Sequence, residues 1–355
     1  QGHYRRCMRR FASSRLFRRT LCVALCQQRC ASMSTIDIGA NLLDPMFQGH
    51  YHGSAKHPTD LYNVLQRAFD PSQRFPLSKV LVTAGSAQEA REAAALCAGD
   101  AAVFGPEIAD FVPMLYHTVG VHPTRSSEFF RADTTPEKHL AEVREIAEAA
   151  KASGKGVALG EAGLDYARLR FAPKEHQLGA FELQLGLAEE MQLPMFLHDR
   201  DTGGDFLAML REHRSRLAGG VVHSFTGSLE EAKALVDLDL SIGINGCSLK
   251  TEENLEVVRW LPLERIMLET DAPWCSIRPT HAGFDHISTT WPTKDKKKWS
   301  PDACVKGRCE PCHITQVLEV VCAIRGEEDL EAFAQQTTEN ADAMFFPVAD
   351  HERGG

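Results

Sequence analysis

Nowhere in the 355 residues does an apolar run approach the roughly 20 residues that a bilayer-spanning helix needs, so neither a membrane segment nor a membrane partner is expected. Acidic residues are missing from the start of the chain: the first is Asp37, while Arg5, Arg6, Arg9, Arg10, Arg15, Arg18, Arg19 and Arg29 precede it. The only apolar stretch there, residues 21–26, is shorter than the roughly 7 to 15 residues of a secretory core. Residues 1–35 are therefore expected to be a mitochondrial transit peptide. The competing reading is sequence upstream of a start at Met33, which would leave the protein cytoplasmic or nuclear. Regular cysteine pairing is also lacking: the eleven cysteines are odd in number and scattered. Cys304, Cys309 and Cys312 have a spacing that suggests zinc, but apart from His313 no fourth ligand with partner spacing follows, so reduced thiols are expected.

Without the eight leader arginines the formal net charge of −9 becomes −17. So acidic a body excludes broad, non-specific attraction to phosphate backbones, and any nucleic acid must be held locally by metal ions and a small basic patch.

From residue 36 onward, short apolar runs alternate with amphipathic helical stretches. The segments 36–41, 79–85, 115–123, 156–165, 193–200, 219–225, 240–246 and 265–273 each have the length of a buried strand. Between them, Ser86-x-x-Glu89 and Ser228-x-x-Glu231 are capping boxes, and Pro136 and Pro173 open helices. Leu140, Val143, Ala147 and Ala150, like Phe181, Leu185, Ala188 and Met191, recur at helical spacing and read as core stripes. Eight strands alternating with helices predict an α/β protein, a (β/α)₈ TIM barrel over residues 36–347 with a polar tail at 348–355; an open doubly wound sheet is the rival.

Chemistry-bearing residues follow the strands. Glu161 comes after the fourth apolar run, His198 after the fifth, His223 after the sixth and Asp271 after the eighth, which places all four at the C-terminal mouth of a barrel. Two imidazoles and two carboxylates form a mixed site suited to magnesium, manganese or zinc. His122, with Arg125 three residues on, falls on the same rim, where charge-assisted donors could meet a phosphate; a solvated loop arginine is the alternative for Arg125. Lys294, Lys296, Lys297 and Lys298 lie between Trp291 and Trp299, which offers either a strand-binding patch or solvated lysines beside buried tryptophans.

The motifs "GVHPTR", "GEAGLDY", "PMFLHDRD", "GGVVHSFTG", "LSIGINGCSLK", "LETDAPW" and "RCEPCHI" occur in the order found in TatD-type metal-dependent deoxyribonucleases, and the chain resembles their eukaryotic branch over residues 36–347. The resemblance implies a barrel of the metallo-dependent hydrolase class that cleaves DNA phosphodiesters with a divalent cation, as a 3′–5′ exonuclease. It also implies metal ligands at Glu161, His198, His223 and Asp271, catalytic roles for Glu161 and Asp271, and His122 beside the substrate phosphate. Glu310 and His313 are expected either at the substrate end or in helix capping. Departures are Ala162 and Asp199 where the family carries cysteine, and Asp199 would repel a strand if it faced the cleft.

Absent too is the His-x-His of many barrel hydrolases: the first strand has Gly39 and Asn41 there. Asn41 is expected to offer a carbonyl oxygen or to order a water. One well-held cation and a weaker second one are expected, magnesium before manganese or zinc. Asp271 is read as the base for an attacking water, DNA as the partner and a monomer as the working unit. A small-molecule or aminoacyl-ester metallohydrolase on the same barrel, or a non-catalytic scaffold, stand as alternatives.

Overall fold

The computed structural model describes residues 34–347; the first 33 residues of the expected leader and the polar tail lie outside the described residues, while Thr35, expected as the leader's last residue, begins the first strand. Eight parallel strands run in chain order around one sheet: β1 Thr35–Ala40, β2 Leu77–Val82, β3 Leu115–Val119, β4 Gly156–Asp165, β5 Met195–Arg200, β6 Gly220–Val222, β7 Ser241–Ile244 and β8 Ile266–Leu268. Each of the eight expected strands is present. Several are shorter than expected, because the chain leaves the ladder before the functional side chains at its end.

Closure between β1 and β8 is made near the top. Ala40 bridges Ala272, the Asn41 amide donates to the Ala272 carbonyl at 2.7 Å, and the Asp271 amide donates to the Gly39 carbonyl at 2.8 Å. Lower down, the Asp37 carboxylate substitutes for a ladder rung, accepting from the Thr270 amide at 2.9 Å and the Gly39 amide at 3.1 Å. A buried acid there satisfies backbone donors that an unfinished ladder would leave orphaned.

The helices are α1 Leu61–Ala68, α2 Ala87–Ala98, α3 Pro136–Ala152, α4 Lys174–Met191, α5 Asp205–His213, α6 Leu229–Asp237, α7 Glu252–Trp260, α8 Ile314–Arg325 and α9 Leu330–Phe345. Pro136 opens α3 as expected, whereas Pro173 stands at the N-cap of α4 and not at its first helical residue, and of the two expected capping boxes the one at α6 is reciprocal. Ser228 Oγ accepts from the Glu231 amide at 3.2 Å, and Glu231 Oε2 accepts from the Ser228 amide at 2.7 Å, satisfying two end-of-helix donors reciprocally. At α2, Ser86 Oγ takes the Glu89 amide, but Glu89 reaches back to the Gly85 amide instead of Ser86.

Two apolar layers result. Helices pack on the outer face of the sheet, while Ile36, Ile38, Leu81, Val157, Phe196, Val221 and Met267 fill the barrel interior, closed from below by Ala341 and Phe345 of α9. The filled interior makes the barrel a support and not a pore, so chemistry is confined to the upper rim. The connection from Ala98 to Pro113 forms a helical turn at Ala101–Phe104 and a 3₁₀ segment at Pro106–Met114, with Ile108 and Phe111 buried.

Candidate metal centre at the barrel mouth

Glu161 sits where β4 slips against β5: Gly160 pairs with Phe196 and Ala162 with Leu197, leaving Glu161 as the extra residue. A bulge of this kind re-aims one side chain. Here it presents Oε1 to three imidazoles, 2.7 Å from His223 Nε2, 2.8 Å from His198 Nδ1 and 3.3 Å from His122 Nε2. Burial alone would raise the Glu161 carboxyl, but His223 and His122 hold it well below the usual range.

Two of the rings are backed by further buried acids. His198 Nε2 lies 3.4 Å from Asp165 Oδ2, and His223 Nδ1 lies 3.6 Å from Glu269 Oε2. Each outer acid favours a proton on the ring nitrogen facing it, which leaves the inner nitrogen with a free lone pair. His198 Nδ1 and His223 Nε2 are 3.3 Å apart and face the same carboxylate oxygen, so with both rings neutral three acceptors converge on one point, where His122 Nε2 at 3.3 Å is the donor at hand. A cation suits that arrangement, and the N/O donor set fits a divalent metal. Burial depresses both imidazoles, but Asp165 and Glu161 carry His198 above its ordinary value, and Glu161 with Glu269 carries His223 well above.

His122 differs. The Thr124 amide donates to its Nδ1 at 3.1 Å, which puts the ring proton on Nε2, the nitrogen facing the cleft. His122 therefore offers a donor, suited to a phosphate oxygen. Its ligand atom nonetheless lies within 4.8 Å of those of Glu161 and His198.

Asp271 closes the opposite side of the cleft. Its Oδ1 accepts from Asn41 Nδ2 at 2.8 Å and its Oδ2 from Cys275 Sγ at 3.2 Å, and burial pushes its carboxyl up to about 6. The Asn41 expectation needs correction. Its Oδ1 is occupied by Thr83 Oγ1 at 2.7 Å, so Asn41 turns its amide NH₂ toward the site and acts as a donor to Asp271. Gly39 is explained as well: a Cβ there would meet Glu269 Oε2 at 2.7 Å and the Phe196 ring at 3.0 Å.

The cleft above these residues has a volume of about 970 Å³. Arg125, Arg168, Arg200 and Lys250 line it, as do Asp199, Trp274, Cys247 and Cys275. Arg125 is half-exposed and paired with Glu89 at 2.9 Å and Glu128 at 3.4 Å, so part of its charge is already compensated. Asp199 does face the cleft; burial lifts its carboxyl to about 6 although Thr202 Oγ1 donates to it at 2.8 Å.

Other expected substrate contacts lie elsewhere. Glu310 is fully buried, 2.7 Å from Arg67 and 2.9 Å from Arg308, and Arg308 in turn bonds Asp60; this network pins the excursion after β8 to the start of α1. His313 meets Cys304 and Cys312, with ligand atoms within 4.8 Å of one another. Its Nδ1 accepts the Glu310 amide at 3.1 Å, completing a capping box, so its remaining nitrogen carries a proton toward the thiols. Capping, the alternative reading for Glu310 and His313, is what their geometry supports. Lys296 and Lys297 do not line the cleft: Lys296 Nζ sits 4.7 Å over the Tyr51 ring. Trp299 stacks one face on His57 and donates to Asp60, and Trp291 packs beside His313; neither lines the cleft.

Missed in the sequence were Asp165, Glu269 and Trp274. Glu269 had a signal, standing two residues before Asp271 in "LETD" on the same side of an extended chain. Trp274, half-exposed beside the cleft, was hidden in "DAPW".

Comparison with known proteins agrees with this geometry. The family model described as TatD related DNase matches residues 106–346. The Deoxyribonuclease Tat-D of Schizosaccharomyces pombe is 41% identical, over 87% of this chain and 95% of that protein. The 3'-5' ssDNA/RNA exonuclease TatD of a Rahnella species is 35% identical, over 87% and 97% respectively. A solved TatD family hydrolase from Entamoeba histolytica superposes with a TM-score of 0.78 at 33% identity, covering 88% of this chain and 98% of that one. The chain belongs to the TatD-related DNase family.

Proposed function

We propose that this protein is a divalent-metal-dependent nuclease that removes nucleotides from the 3′ end of single-stranded DNA, with Glu161, His198 and His223 as the core of the metal site and Asp271 facing it. The observation that carries this reading is the convergence of His198 Nδ1 and His223 Nε2 on Glu161 Oε1, with Asp165 and Glu269 behind the rings. The 3′–5′ direction is supported by the name of the Rahnella relative. A divalent cation, when bound, supplies positive charge to phosphoryl oxygens and acidifies water. Magnesium is the preferred ion, because the first strand carries Gly39 and Asn41 in place of two further imidazoles, and the carboxylates of Glu161 and Asp271 suit a hard, hydrated cation.

The chain's own residues contribute the rest. Asp271, with a carboxyl near 6, is positioned to accept a proton from the attacking water at neutral pH, where a base of that strength is mostly ionised yet still basic enough to help. Asn41 Nδ2 fixes the orientation of this carboxylate through Oδ1, and Oδ2, which Cys275 Sγ reaches at 3.2 Å, is the oxygen that takes the proton. His122 Nε2 donates to a non-bridging oxygen, and Arg168, Arg200 and Lys250 hold the flanking phosphates. A monomer suffices, since every side chain invoked belongs to one chain.

Cleavage of end-labelled single- and double-stranded DNA in magnesium, manganese, zinc and EDTA tests the reading. A ladder growing from the 3′ end in magnesium and none in EDTA is expected. Glu161→Ala should abolish cleavage; near-normal rates in that variant would remove Glu161 from the site, and no cleavage by the folded wild type in any metal would favour a small-molecule ester substrate.

A further inference from the structure

Cys247 and Cys275 are the two part-exposed thiols among the described residues; Cys97, Cys304, Cys309, Cys312 and Cys322 are buried. They come from neighbouring strands, Cys247 from the turn after β7 and Cys275 from the loop after β8, and both line the cleft. Their sulfurs are 2.7 Å apart. The surrounding backbone is fixed: the Cys247 amide donates to Asn245 Oδ1 at 2.8 Å, and a Cβ on Gly246 would fall 2.0 Å from the Cys275 carbonyl oxygen, so the two loops are already in contact. A disulfide has sulfurs about 2.05 Å apart, so joining this pair needs a side-chain movement of under roughly 1 Å. Neither thiol belongs to the machinery described above, yet Cys275 Sγ donates to Asp271 Oδ2 at 3.2 Å.

We propose that Cys247 and Cys275 are a reversible oxidation site, forming a disulfide in the wall of the cleft that switches Asp271 off. Hydrogen peroxide is the oxidant. Cys247, whose sulfur is not engaged with a carboxylate, attacks one peroxide oxygen; the O–O bond breaks, the sulfur becomes a sulfenic acid, and the departing hydroxide takes up the thiol proton as water. Cys275 sulfur then attacks the sulfenic sulfur, the S–O bond breaks, and the second water leaves with the Cys275 proton. Two thiols and one peroxide give one disulfide and two waters. A dithiol reverses the change by thiol–disulfide exchange.

Oxidation costs Cys275 its S–H, so Asp271 Oδ2 loses a donor and faces sulfur lone pairs instead. The loops after β7 and β8 are tied together at the same time, fixing the wall of the cleft against which a strand must settle. This consequence for activity rests on the nuclease reading; formation of the bond does not.

The full chain is treated with hydrogen peroxide, the remaining thiols are alkylated, and digested peptides are mapped by mass spectrometry alongside a DNA cleavage assay. Expected is a linked Cys247–Cys275 peptide pair, 2 Da lighter than its reduced components, with cleavage reduced at least tenfold and restored by dithiothreitol. In Cys247→Ser and Cys275→Ser the link should vanish, and within each variant the ratio of peroxide-treated to untreated cleavage should stay near one. Folded wild type that never yields the link overturns the oxidation site, and a link with unchanged cleavage overturns the switch. A protein that cuts no DNA even when reduced counts against the nuclease reading alone, because the peptide map still decides whether the bond forms.

Discussion

Glu269 stands directly behind His223, its Oε2 3.6 Å from the ring Nδ1, and is itself held by Asn245 Nδ2 at 3.0 Å. An acid so placed orients the imidazole and increases its basicity toward whatever the other nitrogen binds. Glu269→Gln keeps the shape and removes the charge. Its affinity for Mn²⁺, titrated calorimetrically, should fall by about 10- to 100-fold. Unchanged affinity would reduce Glu269 to a packing role.

Asp199 offers a pH test. With its carboxyl at about 6, it is ionised above that pH and repels a phosphate in the cleft, and it is neutral below. Asp199→Asn should bind single-stranded DNA more tightly than wild type at pH 8, and the two should converge as pH falls toward 5. Fluorescence anisotropy across that range decides; equal affinities at pH 8 would show that the side chain never meets the strand.

Trp274, 53% exposed at the cleft, is the ring available to a base. Stacking is worth roughly 1 to 3 kcal/mol per base, so Trp274→Ala should weaken single-strand binding by about 5- to 150-fold with little change in melting temperature. Lys296→Glu with Lys297→Glu, away from the cleft, should leave affinity and its salt slope alone, whereas Arg200→Glu with Lys250→Glu should weaken binding and flatten the slope. The reverse pattern would move the strand to the lysine cluster.

Asp37 governs stability instead of activity. Burial raises its carboxyl to about 8 despite the donors around it, so the folded protein keeps a proton that the unfolded chain releases near pH 4. Below pH 4 both states are protonated and the residue contributes no pH dependence. Between about 4 and 8 only the unfolded state ionises, so stability falls with rising pH by at most about 1.4 kcal/mol per unit, levelling above 8. Asp37→Asn lacks this slope, and the melting temperature of wild type relative to the variant should drop from pH 5 to 8. Parallel curves would mean that Asp37 is ionised in the folded state.

The barrel was legible because its strands are short apolar runs bounded by polar turns, and because Glu161, His198, His223 and Asp271 each end or follow such a run. What stayed hidden depends on contacts between distant segments. Asp165 and Glu269 lie inside runs already assigned to strands, and only the closed barrel shows them behind the rings of His198 and His223. Glu310, Lys296 and Trp299 stayed open between two readings for the converse reason. Charge and aromaticity suggested a substrate surface, but the long excursion after β8 folds back on α1 and the segment before it, and spends those side chains on Arg67, Tyr51 and His57.

Position 39 carries a last consequence. Because a single added carbon would come within 2.7 Å of Glu269 Oε2 and 3.0 Å of the Phe196 ring, a side chain there displaces the carboxylate that steadies His223. The gain of one imidazole and the displacement of that acid are coupled changes. Directed conversion of this barrel toward a His-x-His catalyst therefore has to vary position 269 together with positions 39 and 41.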